Sequence, residues 1–140
     1  MLVVSHMLNN SNPICFAATA KPQHAKQFYG VTLGLKLVED TPFALVYDAN
    51  GTMLRVQKVQ EVFPAGYTIL GWAVDNMATA VEGLTKKGVR FERYQGLPQD
   101  ESGIWTTPDG SRVAWFKDPD GNTLSLTEFA NADRGPDRKV

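Results

Sequence analysis

The strongest constraint on the fold of this chain is that it contains itself twice. The segment DANGTMLRV at 48–56 is echoed by DPDGNTLSL at 118–126. Both read D-x-x-G-x-x-L-x followed by an aliphatic residue. Upstream, GLKL at 34–37 is echoed by GVRF at 88–91, each closing a helix-like segment and opening an alternating strand. Further upstream, ICFAA at 14–18 is echoed by ILGWA at 69–73, each a mostly apolar strand. Three pairs in one order indicate a duplicated structural unit, and the offset grows from about 55 residues to about 70 along it. The second copy therefore carries about 15 extra residues, placed most simply in 95–109.

Each unit reads strand, helix, strand, strand, strand. Unit one gives strands over 14–20, 35–40, 43–48 and 52–58, with a helix over 22–33. Pro22 suits a first helical turn and Gly34 a helix end. Unit two gives strands over 67–74, 89–94, 111–118 and 122–129, with a helix over 77–87. Asp75 is its expected N-cap, and Lys86, Lys87 and Gly88 its C-terminal signal. The expected organisation is an arm over 1–12, one domain over 13–129 with modules at 13–60 and 66–129, and a polar tail over 130–140.

The 140 residues suffice for one domain with a real core. Fourteen basic and fifteen acidic residues leave a net charge of −1, which argues against a nucleic-acid partner. The single cysteine, Cys15, has no intramolecular disulfide partner and sits in an apolar run. No apolar run reaches membrane-span length, and the first residues lack the pattern of a signal peptide. The expectation is a cytoplasmic chain with no membrane partner.

QFY at 27–29 with LGL at 33–35, AVDN at 73–76 and FKDPDGN at 116–122 carry a resemblance. On the duplicated unit, over about residues 13–129, the chain resembles the glyoxalase/bleomycin resistance protein/dioxygenase (vicinal oxygen chelate) superfamily. The resemblance implies an α+β fold in which two βαβββ modules form a curled mixed sheet around a crevice, with helices outside. It implies a homodimer and a small-molecule ligand. The superfamily's metal enzymes carry His, Gln or Glu ligands on the first and last strand of each module. Laid on this chain, those places fall at Ile14, Arg55, Ile69 and Ser125, none a good ligand for a divalent metal. His6 lies in the arm and His24 on the first helix. No metal and no cofactor are expected.

Alternation sorts the strands into faces. If DPDG forms a three-residue loop, Asp118 pairs with Asn122 and the pairs count outward. Phe116/Leu124 and Ala114/Leu126 then face the core, and Trp115/Ser125 and Val113/Thr127 the crevice. Arg112 falls opposite Glu128, an expected ion pair. The same loop at DANG would set Tyr47 opposite Met53 and Leu45 opposite Arg55. The expected crevice residues are Phe16, Tyr47, Met53, Arg55, Gln57, Ile69, Trp105, Trp115 and Ser125, joined by Ile14, Ala18, Gly71 and Ala73. Arg55 is a permanent cation where relatives hold a metal, suited to a carboxylate or phosphate. The bland alternative is an ion pair with Glu39, Asp40 or Asp100. Trp105 is either a lid or a packing anchor. No catalytic residues are assigned, since no nucleophile–base pair is visible. The expected function is metal-free binding of a small molecule, as in antibiotic sequestration. The alternative is a metal-dependent lyase or dioxygenase of the same superfamily.

Overall fold

A computed structural model describes residues 7–130. His6, most of the tail and half of the expected arm lie outside the described residues. The first half forms β1 (Ile14–Thr19), α1 (Pro22–Gln27), β2 (Lys36–Asp40), β3 (Ala44–Ala49) and β4 (Thr52–Lys58). The helix α1 continues through a wider π-helical turn, Phe28–Thr32, so one helical segment occupies the expected span. The second half forms β5 (Thr68–Ala73), α2 (Met77–Lys86), β6 (Trp105–Thr106), β7 (Arg112–Lys117) and β8 (Thr123–Glu128).

The two halves repeat one plan, a four-stranded mixed sheet. The strand orders are β1-β4-β3-β2 and β5-β8-β7-β6, with the first and last long strands parallel and the rest antiparallel. Neither sheet closes on itself. We call the halves module one and module two. One contiguous core joins them: Leu45, Tyr47, Leu54 and Val56 come from module one, and Phe116, Leu124, Leu126 and Met77 from module two. Phe28 and Tyr29 tie the halves together. The Tyr29 ring packs on Tyr47, and the Phe28 ring on Phe116.

The α2 N-cap is Asn76, not Asp75, because its Oδ1 accepts from the Thr79 N–H at 3.0 Å. The expected Arg112–Glu128 ion pair is replaced by a second cap. The two residues are register partners, but Glu128 Oε1 accepts from the Met77 N–H at 2.7 Å. A carboxylate there satisfies an orphan donor and meets the positive end of the helix dipole.

The expected strand 89–94 is reduced to a bridge between Phe91 and Phe116 and one bond from Glu92 N–H to the Trp115 carbonyl. The insertion explains the loss. Its residues Trp105 and Thr106 take the edge of β7 beside Val113 and Arg112. Arg93 gathers the loop by donating to the carbonyls of Gln99, Asp100 and Glu101.

Candidate functional site

Each sheet buries one face in the core and leaves the other more open, with Phe16 and Met53 exposed on it but Val46 and Ser125 buried. Parallel pairing of β1 with β4 sets Ile14 beside Met53, Phe16 beside Arg55 and Ala18 beside Gln57. Across β4, Arg55 pairs with Val46 on β3. The open face of module one is therefore an apolar surface around one guanidinium. Phe16 is 48 % exposed and Met53 42 %.

Arg55 itself is half-buried. Among the described residues its guanidinium enters no ion pair and no side-chain hydrogen bond. None of the acids that sequence reasoning offered as partners pairs with it. Asp40 binds Lys58 at 2.6 Å and Lys26 at 3.2 Å, and these bonds hold its carboxyl below the usual range. Asp100 accepts from the N–H groups of Ser102 and Ile104. Glu39 stands in the same row on β2, with Val46 between it and Arg55, and makes no ion pair with it.

Tyr47 and Leu45 are corrections: both point into the core. Their strand pairs Tyr47 with Leu54 and Leu45 with Val56, one residue off the expected register. The cause is the turn. Ala49 pairs with Thr52 across a two-residue Asn50-Gly51 loop, with φ of 53° and 92°. That is the left-handed pair a type I′ turn requires, and a one-residue slip reverses every side chain of β3. Burial pushes the Tyr47 phenol up to about 12, helped by Asp40.

Module two matches the expected register. Trp115 pairs with Ser125 and Val113 with Thr127 on the open face. Trp105 is an edge-strand residue of the insertion, stacked on Trp115 at 6.1 Å between ring centroids. Tyr94 meets Trp115 edge-on at 5.4 Å. Burial, then Glu92, raises the Tyr94 phenol. Sequence reasoning missed Tyr94, which sits outside any regular strand. Its only signal was proximity to the insertion.

Ile69 is the other correction. The β5–β8 register shifts between Thr68 and Leu70, and Ile69 packs against the core. The bulge brings Thr68 to the open face, where its methyl lies 3.8 Å from the point a Cβ on Gly71 would occupy. Glycine at 71 is required by a close approach. A Cβ there would stand 3.0 Å from Ser125 Oγ and 3.2 Å from its carbonyl oxygen.

The family's ligand places thus present an alkyl group at Ile14, a guanidinium at Arg55, Thr68 or Ile69 on β5, and the hydroxyl of Ser125. Alkyl groups, a guanidinium and hydroxyls do not supply the imidazole, carboxylate or carboxamide donors with which the family's enzymes hold a divalent metal. Among the described residues no three His, Cys, Asp or Glu side chains are gathered for one. The half-buried Cys15 lies on the core side of β1. No helix among the described residues is long and apolar enough to cross a membrane.

The family model of the Glyoxalase/Bleomycin resistance protein/Dioxygenase superfamily matches residues 12–126. The chain belongs to this superfamily. A comparison with curated protein sequences finds no match. Among solved structures, the chain is similar to a glyoxalase/bleomycin resistance protein/dioxygenase from Alicyclobacillus acidocaldarius, at 17% identity and a TM-score of 0.64. That match covers 87% of this chain and 93% of the other. A superfamily member from Sphaerobacter thermophilus DSM 20745 is 25% identical with a TM-score of 0.62, over 84% and 97% of the two chains. TnmS3, an antibiotic binding protein from Streptomyces sp. CB03234, is 25% identical with a TM-score of 0.64, over 88% and 98%.

Proposed function

We propose that the open faces of the two sheets bind a flat, largely apolar small molecule bearing an anionic group, without a metal, as a sequestering protein does. The observation that carries this reading is the half-buried Arg55 guanidinium with no counter-ion among the described residues. A charge kept partly out of water with no partner costs stability, and an anionic ligand would recover it. Phe16 and Val46 flank it. Trp105, Trp115 and Tyr94 supply an aromatic wall on module two, with Thr68, Ser125 and Thr127 as hydroxyls between. The likeness to TnmS3, an antibiotic binding protein, supports a binding role rather than a catalytic one.

A thermal-shift screen of aromatic carboxylates against their neutral amides tests the reading. The acids should stabilise the protein more. A charge-assisted contact is worth roughly 1.5–3 kcal/mol, so Arg55→Ala should weaken acid binding about ten- to a hundredfold. Arg55→Lys should recover only part, since the fork is lost. Equal stabilisation by the amides sinks the proposal. Elemental analysis after metal loading should find no stoichiometric transition metal.

The same reading includes a homodimer whose copies complete each other's site. It is supported by the apolar open face, where Ile14, Phe16 and Met53 are each more than 40 % exposed. Light scattering at micromolar concentration should return twice the chain mass, and a monomer there rejects this part.

A further inference from the structure

A second concavity lies on the helix side of module two. It is a cleft of about 440 Å³ between α2 and the end of the π-helical turn. Its floor is Trp72, Phe116 and Leu126, and the Trp72 and Phe116 rings stack at 6.4 Å with planes 20° apart. One wall is the Gly83 face of α2, and Leu35 stands on the other side. Gly83 has no positive φ to accommodate, and a Cβ placed on it would meet nothing within 4 Å. A poor helix former therefore stands mid-helix with only open space beside it. The volume and the apolar lining are those of a small-molecule site.

The rim gives the ligand its sign. Lys87 borders both this cleft and an adjoining hollow of about 310 Å³ that carries Arg90, Lys117 and one acid, Glu92. None of the three cations is in an ion pair among the described residues. The carbonyl end of α2 points to the same rim and by itself disfavours an anion. Those carbonyls are already occupied: Leu84 O accepts from the Lys87 and Val89 N–H groups, and Thr85 O from Gly88. The exposed cations then set the field.

We propose that this helix-side cleft is a second binding site, for an amphiphile with a flat apolar body and an anionic head. The body would lie on Trp72, which Phe116 backs from the core, and the head would reach Lys87, Arg90 and Lys117. The proposal does not rest on the reading of Arg55.

The probe is 8-anilinonaphthalene-1-sulfonate, titrated calorimetrically into the full chain, with neutral N-phenyl-1-naphthylamine as its uncharged counterpart. The sulfonate should bind saturably, and the neutral amine at least fivefold more weakly. Gly83→Leu fills the cleft and should weaken the sulfonate at least tenfold. Lys87→Glu with Lys117→Glu, both at exposed positions, should weaken it severalfold and cannot fail by disturbing the core. Unchanged binding in a folded Gly83→Leu protein, or in the double charge reversal, overturns the proposal. So does loss of the sulfonate in Arg55→Ala, which would assign the probe to the open face. If Gly83→Leu halves the mass seen by light scattering, the cleft is a contact between copies and the proposal also falls.

Discussion

At the scale of single residues, two tyrosines on neighbouring elements behave differently. Tyr29 is fully buried and donates to Asp118 Oδ2 at 2.7 Å. Tyr47 is equally buried, but its hydroxyl reaches only the Lys26 carbonyl, at 3.4 Å. Hydrogen bonds to a charged group are worth about 1.5–3 kcal/mol, and long neutral ones much less. Tyr29→Phe should therefore cost about 2 kcal/mol in urea denaturation, and Tyr47→Phe under 1 kcal/mol. Burial raises both phenols, with Asp118 adding to it at Tyr29 and Asp40 at Tyr47. A raised folded value means that the folded state holds its proton more tightly than the unfolded one. Their contribution is complete below the ordinary phenol value of 10.0 and is lost as pH rises, for Tyr47 until about 12. Stability measured from pH 9 to 12 should fall, and less steeply in Tyr29→Phe. A parallel fall in both proteins refutes the assignment. Arg55 shows what was legible at this scale. Its orientation followed from alternation along β4, whereas its lack of a partner depended on where Asp40 and Asp100 spend their bonds.

At the scale of elements, the lesson lies in two turns written almost alike. DANG and DPDG share Asp and Gly at the same spacing. Pro119 stands where Ala49 does and has no N–H for a strand-closing pair, so the second turn is longer: only Gly121 lies in the left-handed region, at 88°, and Asp118 pairs with Asn122. Ala49 can close against Thr52, and Asn50 before Gly51 takes a positive φ, so the first turn tightens to two residues. The Asn-Gly pair was the available signal, and treating the copies as identical hid it. That single residue moved Tyr47 and Leu45 from the open face to the core. The bulge at Ile69 and the two-residue strand at Trp105 had no comparable signal, because neither is long enough to show a period. Gly51→Ala should cost about 1–2 kcal/mol from left-handed strain alone, since a Cβ there meets nothing within 4 Å. Gly121→Ala should cost more, because its Cβ would also press on Pro64 Cγ at 3.3 Å. Denaturant midpoints of the two variants compare them directly, and the reverse order would show that the turns have been misread.

At the scale of the whole molecule, the DPDG turn of module two grips the end of β1 in module one. Asp120 Oδ2 accepts from Thr19 Oγ1 at 2.5 Å, and its Oδ1 from the Ala20 N–H at 2.9 Å. Asn122 Nδ2 donates to the Ala18 carbonyl at 2.9 Å, and Lys21 Nζ to the Pro119 carbonyl at 3.2 Å. The turn was readable, but its partners lie about a hundred residues away, and two of the four are backbone atoms, which leave no mark on a sequence. These bonds join two units that otherwise repeat one plan, so they bear on whether the chain unfolds as one body or two. In module one Asn50 stands where Asp120 does, and the turn's only carboxylate, Asp48, bonds its own turn, accepting from the Gly51 N–H at 2.7 Å. Asp48→Ala and Asp120→Ala thus remove the same chemistry from a local and a bridging position. Each should lower stability by about 1–3 kcal/mol. Only Asp120→Ala should spoil the cooperativity: its calorimetric unfolding enthalpy should exceed the van't Hoff value, while wild type and Asp48→Ala keep the two equal. If Asp120→Ala unfolds in one two-state step, the shared core around Phe28, Tyr29 and Phe116 couples the modules unaided, and the turn contributes stability without cooperativity.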